Sequence, residues 1–93
     1  MSPPFAFRLM FMKNNNNIIK NIDVTSPLFE KAAVGDRLLT INGKKIVDVL
    51  DYKYYAYDPH LSVELARSDG TVYSLSVDKP EGGDLGLDFE SYL

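Results

Sequence analysis

The sequence predicts a small α+β domain that is mainly β, with two helices. An apolar run ending in Asn42-Gly43 predicts a β-hairpin, because both central positions of such a turn take a positive φ. Residues 61–65 and 73–77 alternate apolar and polar side chains on either side of Asp69-Gly70, which predicts a second hairpin. Residues 47–57 repeat apolar side chains every three or four positions, which predicts a helix.

Composition excludes several functional classes. The chain has 93 residues, of which 45% are hydrophobic and 25% charged, as in an ordinary globular domain. A net charge of −3 gives no basic surface for nucleic acid or an anionic membrane. The absence of cysteine excludes disulfides, thiolate nucleophiles and iron–sulfur ligation by this chain. No apolar run approaches the roughly 20 residues of a membrane span.

Residues 1–17 are predicted to be a disordered tail, or an extension from outside the native chain, ahead of a domain at residues 18–93. Pro3-Pro4, a short aromatic run and four consecutive asparagines give no regular period. Met12 is an alternative start, which makes residues 1–11 the extension. Arg8 interrupts the apolar run and no cleavage site follows, so we expect no signal peptide.

The first strand is predicted at residues 18–24, where Ile22 and Val24 fall on the same face. Ser26-Pro27 then predicts the first helix, about two turns long, with serine as the N-cap and proline at the first helical position. Gly35-Asp36 ends this helix and leads into the apolar strand of the first hairpin.

The second helix, at residues 47–57, is predicted to end at Asp58-Pro59, because the residue before proline is disfavoured in a helix. Asp48, Tyr52 and Tyr55 are expected on an opposite or lateral face, where the tyrosines either recognise a ligand or cover a small core. The residues expected to face the core are Val47, Leu50, Tyr54 and Tyr57.

The order of these features resembles a PDZ domain of the bacterial kind. Gly35-Asp36, the apolar strand and Ile41-Asn42-Gly43 carry the resemblance, together with Asp84-Leu85-Gly86-Leu87. The last stretch is similar to the Gly-Leu-Gly-Phe loop that precedes the ligand-binding strand of that family. This loop usually comes near the N-terminus and here comes last. The resemblance therefore implies a circularly permuted PDZ-like domain over residues 18–90, a small and partly open barrel. In such a permuted domain the C-terminal strand returns to pair beside residues 18–24.

The resemblance also implies a peptide-binding groove. Its backbone N–H groups would bind the carboxylate of a peptide, and the following strand would pair with that peptide. Asp84 opposes this binding, because it brings a like charge to the same place. A plain turn, in which the glycines only satisfy backbone geometry, is the other interpretation. The implied loop and strand residues are Gly83, Asp84, Leu85, Gly86, Leu87 and Phe89, and the groove helix contributes Asp48, Tyr52 and Tyr55.

A narrower resemblance follows from the closing Leu-Gly-Leu-Asp-Phe segment, the Ile-Asn-Gly hairpin and the Asp-Tyr pair of the second helix. Together they are similar to the N-terminal domain of a bacterial family of uncharacterised radical S-adenosylmethionine proteins. In that family the cysteines that bind a 4Fe–4S cluster follow downstream. The resemblance implies that this chain is part of a larger cytoplasmic protein, and that the cluster and S-adenosylmethionine bind outside it.

No catalytic residues are predicted. His60 is the only histidine and follows Asp58-Pro59, which is typical of a turn residue. The acidic residues after residue 80 lack the spacing of a calcium loop, so no metal or other cofactor is expected in this chain. We therefore predict a non-catalytic protein- or peptide-recognition module, with an intramolecular docking domain that takes no separate peptide as the alternative. Its partner would be a peptide C-terminus, an extended peptide or the downstream domain of its own chain.

Overall fold

The computed structural model describes residues 17–90, which form two antiparallel sheets and one helix. The elements are β1 (Ile19–Ile22), β2 (Arg37–Ile41), β3 (Lys44–Lys45), α1 (Val49–Tyr55), β4 (His60–Ala66), β5 (Val72–Asp78) and β6 (Leu87–Phe89). One sheet pairs β1 with β6, and the other has the strand order β3-β2-β4-β5. The predicted mainly β class is confirmed, but within residues 17–90 the sheets do not close into a barrel.

Both predicted hairpins are present. Asn42 and Gly43 have φ values of 51° and 80° between β2 and β3, as the turn requires. β4 and β5 pair from His60 with Asp78 to Ala66 with Val72, without a break in register. His60 is therefore the first residue of β4 and not a turn residue, and its exposed Nδ1 lies 2.5 Å from Asp78 Oδ1.

The first and last described strands pair with each other. Ile19 lies opposite Phe89 and Ile22 opposite Leu87, with a bulge between the two pairs. This pairing of the C-terminal strand with the N-terminal strand was predicted from the sequence. The tail predicted at residues 1–17 lies outside the described residues except for Asn17, whose Nδ2 donates to Leu38 O at 2.9 Å.

Apolar side chains from both sheets and the connecting loops form one core. Phe89 is the largest of the fully buried side chains, and its ring lies 4.9 Å from that of Tyr52 in an edge-to-face contact. Burying each large apolar side chain contributes about 1.5–3 kcal/mol. The fully buried members are Ile19, Leu28, Leu38, Ile41, Leu61, Val63, Leu65, Leu85 and Phe89.

The prediction of a first helix is wrong. Residues 26–33 form turns, and α1 is the only helix within residues 17–90. Ser26 does cap this segment, because its Oγ accepts the N–H of Leu28 at 3.0 Å. Glu30 has a φ of 71°, however, and this left-handed conformation cannot continue a right-handed helix.

The second helix is present but shorter than predicted, and it faces the other way. Asp48 is its N-cap, with Oδ1 accepting from the N–H groups of Leu50 and Asp51. The side chains predicted to face the core are largely exposed: Val47 50%, Leu50 72%, Tyr54 74% and Tyr57 57%. Tyr52 and Ala56 are buried instead, at 4% and 5% exposure.

Candidate functional site

A cavity of about 270 Å³ lies between α1 and the segment that leads into β6. We call it the α1–β6 groove. Five of the predicted site residues line it: Tyr52, Gly83, Asp84, Leu85 and Leu87. The remaining lining residues are Val49, Lys53, Ala56, Tyr57, Gly82 and Asp88. The structure therefore brings the predicted helix and the predicted loop together around one concave site.

Tyr52 connects the two walls of the groove. Its Oη accepts the N–H of Leu87 at 3.2 Å and donates to Asp84 Oδ1 at 3.4 Å. Burial raises the pKa of the Tyr52 hydroxyl well above its ordinary value, and the nearby Asp84 carboxylate raises it further. The hydroxyl therefore stays protonated at neutral pH and can serve as a donor and an acceptor at once.

Asp84 folds back onto its own loop. Its Oδ1 accepts the N–H of Gly86 at 2.8 Å, in the local turn that aspartate side chains commonly form. The N–H groups of Gly86 and Leu87 are thus bonded to side chains of this chain. Asp84 is exposed and is one of the residues that line the groove.

The loop is fixed to the end of α1 by a buried lysine. Lys79 is only 8% exposed, and its Nζ donates to Tyr57 O at 3.2 Å and to Pro80 O at 3.3 Å. The N–H of Gly82 also donates to Tyr57 O, at 2.8 Å. These bonds hold the glycine-rich loop against the helix. Sequence analysis missed Lys79, because nothing in its context separates it from an exposed lysine.

The other predicted site residues lie outside the groove. Asp48 is occupied as the helix N-cap. Phe89 is buried in the core, and Gly86 turns the chain with a φ of 82° close to Asp23 and Ser26. The ring of Tyr55 lies 4.9 Å from that of Tyr54 and lines a different hollow.

That second hollow, of about 710 Å³, also lies beside α1, and Lys53 and Tyr57 line both hollows. Its apolar part comes from Leu50, Tyr54 and Tyr57, which sequence analysis assigned to the core. Together with Val47 these residues form an exposed apolar surface, which we call the outer face of α1. Lys44, Lys53 and Asp58 border it.

A buried carboxylate lies away from the groove. Asp36 accepts hydrogen bonds from the Tyr73 hydroxyl and, at 3.3 Å, from the N–H of Ala33. Arg67 lies 3.8 Å from Asp36 Oδ2 and stacks over the Tyr73 ring at 4.3 Å. Burial, with the Asp36 bond and charge, raises the pKa of Tyr73 to about 12. Asp36, Arg67 and Tyr73 thus connect the start of β2, the end of β4 and β5.

No protein-family model matches the chain, and no curated protein matches it. Within residues 17–90, no helix has both the length and the apolar character that a membrane span requires. The same residues contain no group of three or more histidine, aspartate or glutamate side chains placed to hold a metal ion. The groove geometry is therefore the main observation that bears on function.

Proposed function

We propose that this chain is a non-catalytic protein-recognition module that binds an extended segment of a partner in the α1–β6 groove. The observation that carries the proposal is the groove itself, in which a helix and a glycine-rich loop line one cavity beside a short strand. Some peptide-binding domains take up an extended ligand as an added strand at a sheet edge, with pockets for its side chains.

The strand β6 supports binding by strand addition. Within residues 17–90, β6 pairs with β1 alone, and α1 lies beside β6 across the groove. The N–H of Leu87 points to that side, since it donates to Tyr52 Oη there. A partner carbonyl can replace the Tyr52 hydroxyl as the acceptor, while the half-buried Val49 contacts the partner's side chain.

A second candidate function is intramolecular docking, in which this domain packs on another domain of the same protein. The exposed outer face of α1 favours it, because contiguous apolar surface on a small domain commonly marks an interface. Under the resemblance to radical S-adenosylmethionine proteins, the partner would be the downstream domain that holds the 4Fe–4S cluster. This chain would then contribute positioning and no chemistry.

An NMR titration distinguishes the two functions. The ¹⁵N-labelled protein is titrated with an equimolar pool of acetylated pentapeptides, randomised at every position and amidated at the C-terminus. Peptide recognition predicts amide shifts concentrated at Tyr52, Ala56, Gly83 and Leu87, because these residues line the groove. A variant with Leu50→Ser on the outer face of α1 is expected to give the same shifts as the wild type.

Two results would contradict the groove as the binding site. One is an unchanged spectrum at millimolar peptide. The other is a set of shifts confined to Leu50, Tyr54 and their neighbours and lost in the Leu50→Ser variant, which would favour the outer face of α1 and the docking function.

A further inference from the structure

Three hydrogen bonds close the loop side of the α1–β6 groove from within. Gly86 N–H donates to Asp84 Oδ1 at 2.8 Å, Leu87 N–H donates to Tyr52 Oη at 3.2 Å, and Tyr52 Oη donates to Asp84 Oδ1 at 3.4 Å. One carboxylate oxygen thus receives a backbone N–H and a hydroxyl. Asp84, which lines the groove, thus supplies an anion from the chain itself to the backbone N–H of the neighbouring Gly86.

A ligand carboxylate would need the same donors. Consecutive backbone N–H groups in a glycine-containing loop are well suited to bind an anion. Here the Asp84 carboxylate accepts one of them directly and is linked to the next through Tyr52. The internal contact needs no association, so it has no loss of translational and rotational freedom to overcome.

We propose that Asp84 determines ligand specificity, so that the α1–β6 groove accepts internal or amidated segments and rejects a free C-terminal carboxylate. This inference rests on the proposed function. A ligand carboxylate at the loop would have to displace the Asp84 side chain from the Gly86 N–H. It would then lie within a few ångströms of that displaced charge.

The other charges along the groove do not remove this selectivity. Asp88 adds a second carboxylate to the lining. Within residues 17–90, Lys53 is the only lysine or arginine of the lining, and it is exposed on the helix. A solvated ammonium on a flexible stem attracts an anion weakly. The described lining therefore places the Asp84 carboxylate beside the loop and offers an incoming anion only weak attraction from Lys53.

The test titrates the protein with the randomised pentapeptide pool in two forms, one with a free C-terminal carboxylate and one amidated. The half-saturating concentration of each pool is read from the NMR shifts of the protein's backbone N–H groups that line the groove. The wild type is expected to bind the amide pool about five- to tenfold more tightly, the effect of one nearby like charge in a solvent-exposed site. Asp84→Asn keeps a side-chain oxygen for the Gly86 N–H but removes the charge. This variant is expected to bind the two pools within about twofold of each other.

Asp88→Asn is the matched control, because it removes the same charge from the same groove without touching the Gly86 N–H bond. It is expected to keep most of the preference for the amide. Equal or tighter binding of the acid pool by the wild type overturns the role of Asp84 and leaves the groove function intact. An unchanged preference in Asp84→Asn also overturns it. A wild type that binds neither pool contradicts the proposed function itself.

Discussion

Tyr52 holds α1 against β6 through both parts of its side chain. The ring packs edge-to-face on Phe89, and the hydroxyl accepts the N–H of Leu87. A buried N–H without an acceptor is costly, so the hydroxyl contributes to stability as well as to the shape of the groove. The resemblance implied that Tyr52 lies in the groove, but the sequence could not give these contacts, because they join residues 35 and 37 positions apart.

Replacing Tyr52 with phenylalanine is expected to lower the free energy of unfolding by about 1–2 kcal/mol, because the Leu87 N–H loses its acceptor. Urea denaturation followed by circular dichroism measures the change. Tyr54→Phe is the matched control. Because Tyr54 is 74% exposed, this variant is expected to change the free energy of unfolding by no more than about 0.5 kcal/mol. Equal losses in the two variants would contradict the role given to the Tyr52 hydroxyl.

The elements differ in how far the sequence could predict them. Asn42-Gly43 and Asp69-Gly70 are strong local turn signals, so both hairpins were predicted correctly. Residues 26–33 also carry good helix-start residues, but Glu30 adopts a left-handed conformation and Leu28 is fully buried. Neither feature leaves a periodic signal in the sequence.

The orientation of α1 was predicted wrongly because two stripes of its surface share the helical period. Leu50, Tyr54 and Tyr57 recur at three and four positions, and so do Val49, Tyr52 and Ala56. Tyrosine is common in cores and on surfaces, so the pattern alone could not decide. In the structure the second stripe faces the core, with Tyr52 and Ala56 buried.

Leucine-to-alanine substitutions test this orientation. Leu50→Ala is expected to change the free energy of unfolding by no more than about 0.5 kcal/mol, since Leu50 is 72% exposed. Leu85→Ala removes the same atoms from a fully buried site in the loop beside the groove. It is expected to lower the free energy of unfolding by about 2–5 kcal/mol. A loss above about 2 kcal/mol for Leu50→Ala would place that residue in the core and reverse the orientation of α1.

At the scale of the whole molecule, the fold is closed by the pairing of its first and last described strands. The β1–β6 pair continues into a bond from Asp23 N–H to Gly86 O at 2.8 Å. The resemblance stated from the sequence implied this pairing, and the structure has it. The three hydrogen bonds inside the groove were not predictable, because they depend on side-chain directions that the pairing sets only in three dimensions.

Gly86 is the position at which the closure is most sensitive. A Cβ there would lie 3.0 Å from Asp23 Cβ and 3.3 Å from Ser26 Cβ, in addition to the strain of a φ of 82°. Gly70 has a similar φ of 93° with nothing within 4 Å, so Gly70→Ala measures the strain alone. Gly86→Ala is expected to cost about 1–3 kcal/mol more than Gly70→Ala in urea denaturation. Equal losses of stability in the two variants would show that the close approach of Asp23 to Gly86 does not contribute to the cost of Gly86→Ala.

The central claim is that the α1–β6 groove receives a partner segment, and paramagnetic relaxation enhancement tests it most directly. An amidated peptide pool carries a nitroxide on one fixed cysteine, and the protein has no cysteine of its own to exchange with it. We expect the strongest broadening at the amides of Tyr52, Ala56, Gly83 and Leu87, which line the groove. Broadening centred on Lys44, Leu50 and Tyr54, or no broadening at all, would contradict the claim.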